Sequence, residues 1–128
     1  MARTEKQIIG RWGEKKSSKY LKKKKYKILD KNYLTKYGEL DIVAEKDNYI
    51  VFVEVKTRKE NFRYPPVMAV NYYKQQRLFK AAFLYLKEYP TSKNIRFDII
   101  EVIHKDKKLV AINHIKNAFS QRGSYGRF

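Results

Sequence analysis

The stretch Gly38-Glu39-Leu40-Asp41-Ile42-Val43-Ala44, followed by Tyr49-Ile50-Val51-Phe52-Val53-Glu54-Val55-Lys56, decides how this chain folds. Both runs are rich in β-branched and aromatic residues, and Asp47-Asn48 between them is turn chemistry, so together they read as a hairpin. Each strand carries an acid in or beside its apolar run. Twelve residues separate Asp41 from Glu54. Charge in an apolar strand is costly unless it is paired or holds a metal. Side chains alternate along a strand, so Ile50, Phe52, Glu54 and Lys56 share a face, as Glu39 and Asp41 do in theirs. A hairpin closed at Asp47-Asn48 brings Asp41 beside Glu54, whereas a slip of one residue separates them. Two carboxylates and a lysine on adjacent strands are what a magnesium-dependent nuclease needs: the acids hold the ion and the lysine stands beside the attacking water. The alternative is a salt-bridged trio without catalysis, although buried ion pairs stabilise poorly and need another reason to exist.

Outward from the hairpin, residues 4 to about 24 read as a helix, with Ile8 or Ile9, Trp12, Tyr20 and Leu21 at helical spacing. Gly10 and Gly13 weaken it and point to close packing. Residues 26–34 read as a strand with a turn at Tyr37-Gly38, leading into strands 39–45 and 49–57. A polar loop over 58–66 ends in Pro65-Pro66. Residues 67–89 read as a long helix stopped by Pro90, with Val70, Tyr73, Leu78, Ala81, Ala82, Tyr85, Leu86 and Tyr89 on one broad face. Strands at 95–103 and 109–113 follow, then a short helix around 115–119 and a basic tail at 121–128 expected to be mobile. The order is α-β-β-β-α-β-β-α: a mixed sheet flanked by helices, with the Glu54 strand at its centre because it is apolar on both faces. No repeat or linker divides the chain, so residues 1–120 are expected to form one domain.

Composition narrows the partner. Thirty Lys and Arg stand against thirteen Asp and Glu, a net charge of +17, which predicts a polyanion. Nucleic acid comes first, an anionic membrane surface second, and a merely lysine-rich composition is the bland third reading. Residues 15–36 hold ten lysines and a single acid, Asp30, interleaved with Tyr20, Tyr26, Tyr33 and Tyr37. Lysines such as Lys22, Lys23, Lys24 and Lys25 supply phosphate contacts and tyrosines can stack on unpaired bases, unless the rings are core. Arg58 could grip a phosphate, and Lys74 and Arg77 could face the same cleft or a solvated helix surface. His104 and His114 lack metal-ligand spacing, and Asp98 is expected to pair with Arg96 or a lysine. There is no cysteine, which excludes disulfides, thiolate zinc sites and cysteine nucleophiles. The absence of a span-length apolar run or a signal-like hydrophobic region leads to the expectation of a cytoplasmic protein that does not enter membranes.

Several blocks then match a known pattern: Gly13-Glu14, Asn32, Gly38-Glu39-Leu40-Asp41-Ile42, Val51-Phe52-Val53-Glu54-Val55-Lys56-Thr57-Arg58, Ala69-Val70, Lys74, Arg96-Phe97-Asp98 and Ile115-Lys116-Asn117-Ala118-Phe119. Over nearly its whole length the chain resembles the YraN-like family of small predicted endonucleases. These belong to the restriction-endonuclease-like PD-(D/E)XK superfamily, with archaeal Holliday junction resolvases as relatives. Leu40 stands where the superfamily pattern has proline, and Pro65-Pro66 departs from the family's glycine-proline loop. The resemblance implies a restriction-endonuclease-like fold and Mg²⁺ or Mn²⁺ on Asp41, Glu54 and the Val55 carbonyl. It further implies Lys56 at the attacking water, Glu14 as an outer ligand and Glu39 as a third carboxylate. The expected activity is cleavage of DNA, on branched or distorted substrates by analogy. The alternatives are a binder that keeps the fold without turnover and an RNA-associated factor with an Arg-Gly tail. A homodimer is one assembly this leaves open.

Overall fold

Thr4 opens the first element with a reciprocal cap. Its hydroxyl accepts the Gln7 N–H at 3.1 Å, and the Gln7 side chain accepts the Thr4 N–H at 2.9 Å. Helix α1 runs Glu5–Lys23 and ends on Lys22 and Lys23, which suit the negative end of its dipole. The computed structural model describes residues 2–61, 65 and 69–120, so the expected tail at 121–128, residues 62–64 and 66 of the expected loop and residues 67 and 68 of the expected second helix lie outside the described residues. Strands β1 Lys27–Thr35, β2 Gly38–Lys46 and β3 Tyr49–Lys59 follow, then helix α2 Tyr72–Glu88 and strands β4 Asn94–Lys105 and β5 Lys108–Phe119.

The five strands form one mixed sheet in the order β1-β2-β3-β4-β5, flanked by helices, as a restriction-endonuclease-like fold requires. β3 is central and runs parallel to β4; the other neighbours are antiparallel. Parallel neighbours need a crossover, which α2 supplies. β3 feeds both cores. Ile50 and Phe52 pack under α2 with Leu78, Phe79, Ala82, Tyr85, Phe97 and Ile99. Val51 and Val53 pack on the other face with Leu21, Tyr26, Ile42, Ile100 and Val102, where α1 lies. Tyr26 is thus core, and Tyr20 and Tyr33 pack against the two clusters.

The hairpin register is the one the sequence predicts. Lys46 pairs with Tyr49 around Asp47-Asn48, and the ladder runs to Ile42↔Val53. The first turn falls at Lys36-Tyr37, one residue early, because Thr35 Oγ1 accepts the Tyr37 N–H at 3.0 Å and donates to the Gly38 carbonyl at 2.8 Å. Gly38 follows at φ +130, a conformation that favours glycine.

Three expectations need correction. Residues 115–119 are strand, not helix. β5 continues along β4 through Ile99↔Ile115 and Phe97↔Phe119, with a register shift near Asn117, whose φ is +52. Ile115 and Phe119 have a spacing that also suits a helix, so only the open edge of β4 settles the matter. α2 starts at Tyr72 rather than 67, because Asn71 is extended and caps it by accepting the Lys74 N–H at 2.9 Å. Tyr73, placed by periodicity on the buried face, is 79% exposed in the first turn. No helix among the described residues is long and apolar enough to cross a membrane.

Candidate active site

Beyond Ile42↔Val53 the hydrogen-bonded ladder between β2 and β3 stops. Continued in the same register, the next pair is Asp41 and Glu54. In place of a backbone carbonyl, Asp41 Oδ2 accepts the Val55 N–H at 2.8 Å. The N–H and C=O of a strand residue point to the same side, so the Val55 carbonyl faces this gap as well. Asp41 therefore sits where two central strands part and can be reached from both sides of the sheet.

From the α1 side comes Glu14. Gly13 makes this approach feasible: a Cβ there would lie 1.8 Å from Thr57 Oγ1, so helix and β3 touch at a distance only glycine allows. Gly10, by contrast, faces open space. Oxygens of Glu14, Glu39 and Asp41 lie within 4.8 Å of one another. Asn32 bridges two of them, its Nδ2 donating to Glu14 Oε1 and Glu39 Oε1, each at 2.9 Å. Asn32 has φ +53 within β1, a conformation asparagine tolerates better than most residues. No role for it follows from the sequence reading. The available signals are its place among the blocks of the family resemblance and an asparagine inside a strand, where that residue is depleted.

From the α2 side come the cations. Glu54, 5% exposed, lies 3.5 Å from Lys56 Nζ and 2.5 Å from Lys74 Nζ. Lys56 and Glu54 share a face as strand alternation predicts. Lys74, expected to face a phosphate, instead grips a carboxylate. A cleft of about 430 Å³ joins Glu39, Asp41, Glu54, Lys74 and Arg77 beneath Tyr37.

The electrostatics of the site are strained. Burial pushes the Asp41 carboxyl well above its ordinary value, and the neighbouring Glu54 and then Glu14 add to the shift against the Val55 N–H. Burial lowers the Lys56 ammonium, and adjacent Lys74 reinforces this against the pull of Glu54. For Lys74, burial also works downward, but Glu54, Lys56 and Asp41 outweigh it and raise the ammonium. One lysine is thus biased toward losing its proton and the other toward keeping it.

The remaining expected residues are dispersed. Arg58 forms a buried ion pair with Glu101, which Asn113 also binds at 2.9 Å, so it is not turned outward to a phosphate. Lys22, Lys23, Lys24 and Lys25 are exposed at the far end of α1. At 1.5 Å per residue Lys22 and Lys23 stand about 12–14 Å along the helix from Glu14, and Lys24 and Lys25 follow beyond its end, so none of the four joins the acids. Asp98 pairs with Arg96 as expected. His114 Nε2 lies 2.7 Å from the same acid.

The model of the Uncharacterised protein family UPF0102 matches residues 13–102, which span Glu14, both acid-bearing strands and α2. A UPF0102 protein of Syntrophomonas wolfei is 51% identical over 112 residues, covering 87% of this chain and 96% of its own. One from Thermodesulfovibrio yellowstonii is 47% identical over 123 residues, covering 93% and 99%. One from Caldanaerobacter subterraneus is 46% identical over 127 residues, covering 93% and 100%.

Proposed function

The chain belongs to the Uncharacterised protein family UPF0102, and we propose that this member is a metal-dependent endonuclease that hydrolyses DNA phosphodiester bonds. The observation that carries the reading is the position of Asp41. It is a half-buried acid placed at the parting of two strands among Glu14, Glu39 and Glu54, with two lysines on the flank of Glu54. The resemblance to PD-(D/E)XK nucleases, and more distantly to Holliday junction resolvases, supports the same reading. Branched DNA as the substrate rests on that analogy alone.

The residues present fit a divalent cation. Their donors are hard oxygens, and the acids are crowded enough to raise the Asp41 carboxyl. Asp41 would be the shared ligand, with Glu54, Glu14 or Glu39 and the Val55 carbonyl completing the set. A bound Mg²⁺ or Mn²⁺ lowers the pKa of water and steadies charge on the phosphate. Lys56 lies at the edge of the acids with its ammonium lowered. It orients the attacking water and can take up or return a proton at Nζ. Lys74 stays charged and fixes the Glu54 carboxylate against it. Asn32 holds Glu14 and Glu39 side by side so that their oxygens converge.

The test is cleavage of duplex, single-stranded and four-way DNA with and without Mn²⁺. Asp41→Asn, Glu54→Gln and Lys56→Ala should each lose more than the ~10–100-fold that an outer partner of a metal site costs. The two acid variants should bind DNA at least as tightly as the wild type in metal-free buffer. Equal cleavage by Asp41→Asn would sink the assignment.

A second reading is favoured by the two lysines on Glu54, which satisfy that acid without a metal. It is a nucleic-acid binder that keeps the fold without turnover. Tight binding with no cleavage of any substrate in any divalent metal would select it.

A further inference from the structure

A second depression, larger than the acid cleft, lies at the carboxyl ends of the parallel strands β3 and β4. It encloses about 990 Å³ between the first turns of α1, the end of β3 and the β4–β5 turn. Its lining carries six Lys and Arg against three acids, and Arg58 and Lys56 are taken by Glu101 and Glu54 outside it. Two of the lining acids are already neutralised across the groove, Glu5 by Lys107 at 3.2 Å and Glu60 by Lys105 at 4.0 Å. Lys6 and Lys59 carry no ion pair among the described residues.

His104 lines the same groove. It is 6% exposed, packs edge-on against Trp12 at 6.0 Å, and its Nδ1 has no hydrogen-bond partner among the described residues. A buried polar atom without a partner is uncommon and asks for an explanation. Nδ1 itself is closed to solvent, but His104 lines the groove, so a ligand seated there lies against its ring. The groove and the acid cleft meet at neighbouring residues of β3, Lys56 lining one and Glu54 the other. The Lys56 ammonium lies 3.5 Å from Glu54.

We propose that this groove takes a short single strand of nucleic acid leaving the acid cleft past Lys56, so that the substrate carries unpaired nucleotides next to the bond that is cut. This rests on the nuclease reading for the place of the bond, but not for the binding itself. The groove is bounded by ion pairs, and its volume lies at the top of the ~300–1,000 Å³ typical of clefts that enclose a small ligand. A duplex, whose major groove alone is about 12 Å wide, rests on a face and does not enter such a space. Lys6 and Lys59 meet phosphates, while Ile9 and the lysine stems offer the apolar wall on which unpaired bases settle.

The experiment is carried out in EDTA, so a protein that never cleaves can still pass it, and its failure leaves the cleavage test untouched. Fluorescein-labelled hexathymidylate and a 20-base-pair duplex are titrated against wild type and the Lys6→Glu/Lys59→Glu double variant, with circular dichroism confirming the fold. The double variant should lose tenfold or more in hexamer affinity and less than threefold on the duplex. The slope of log K against log salt for the hexamer should become shallower by about 1.4, since two contacts at ~0.7 each are lost. Unlabelled trithymidylate should shift the His104 ring resonances. Equal losses on both DNAs, or unmoved His104 resonances, would overturn the proposal. Thymidine 5′-phosphate binding as tightly as the hexamer would also overturn it, since the groove would then be a mononucleotide site.

Discussion

Asp41 and Asp98 are both aspartates on strands of the sheet, and their surroundings treat them in opposite ways. Asp98 is fully buried in β4. Arg96 donates to both its oxygens at 2.8 Å, the Asn117 N–H donates to one at 2.9 Å, and His114 Nε2 lies 2.7 Å from the other. Burial by itself would raise this carboxyl, but His114, Arg96 and the Asn117 N–H outweigh it and hold it below the usual range. The relay continues from His114 Nδ1 to the Tyr20 hydroxyl at 3.1 Å, tying α1 to β4 and β5. Asp41 receives the Val55 N–H and is otherwise crowded by acids that drive its carboxyl up. A buried acid saturated with donors is a structural tie. A half-buried acid crowded by other acids is instead held with its carboxyl raised and its charge uncompensated by the fold.

The largest effect expected from this contrast is at Asp98. Asp98→Ala strands Arg96 and His114, and should cost about 3–5 kcal/mol in urea unfolding, the usual size for breaking a buried pair. Asp41→Ala should cost far less. Equal losses would dissolve the distinction between the two acids.

Next comes the cation itself. Mn²⁺ at a hundred times its Kd should stabilise the wild type by about 2.7 kcal/mol, read as a rise in Tm that Asp41→Asn does not show. A similar rise in both proteins would place the ion elsewhere.

Glycine substitution tests how the helix delivers Glu14. Gly13→Ala drives a methyl into Thr57 and should cost ~1–3 kcal/mol, while Gly10→Ala, in open space, should gain ~0.5–1 kcal/mol. Adding Thr57→Ala to Gly13→Ala should recover part of the loss, because the nearest clashing atom is the Thr57 hydroxyl. A tolerated Gly13→Ala would mean that the helix does not need this close approach.

The smallest effect carries a sign. Asp41→Asn in metal-free buffer should stabilise the protein by on the order of 1 kcal/mol at pH 8, an ordinary size for one favourable substitution. A carboxyl raised in the folded state favours folding at low pH and loses that contribution as pH rises through its folded value. The gain from Asp41→Asn should therefore be small near pH 4 and grow upward. Asp98 runs the other way: its lowered carboxyl stabilises above the ordinary aspartate range and loses that contribution as pH falls through its folded value. A gain at Asp41 that shrinks with rising pH would reverse the assignment.

The sequence by itself determined the parts whose signals are local. Asp47-Asn48 and the alternation around it set the hairpin register, and with it the meeting of Asp41 and Glu54. The apolar run of β3 required burial on both faces, which made that strand central. Tertiary structure decided the rest, because distant residues compete for the same groups. Arg58 reads as a phosphate ligand until Glu101, forty-three positions later, takes it. Lys74 reads equally as a cleft cation and as part of a solvated helix face until α2 lays it on Glu54. Ile115-Lys116-Asn117-Ala118-Phe119 is ambiguous in period until the edge of β4 makes it strand. The bridge from Asn32 to Glu14 and Glu39 needs α1, β1 and β2 together, and no spacing in a chain encodes where three elements converge. Local pattern fixes which way a side chain points on its own strand, whereas its charge state depends on what the fold packs against it.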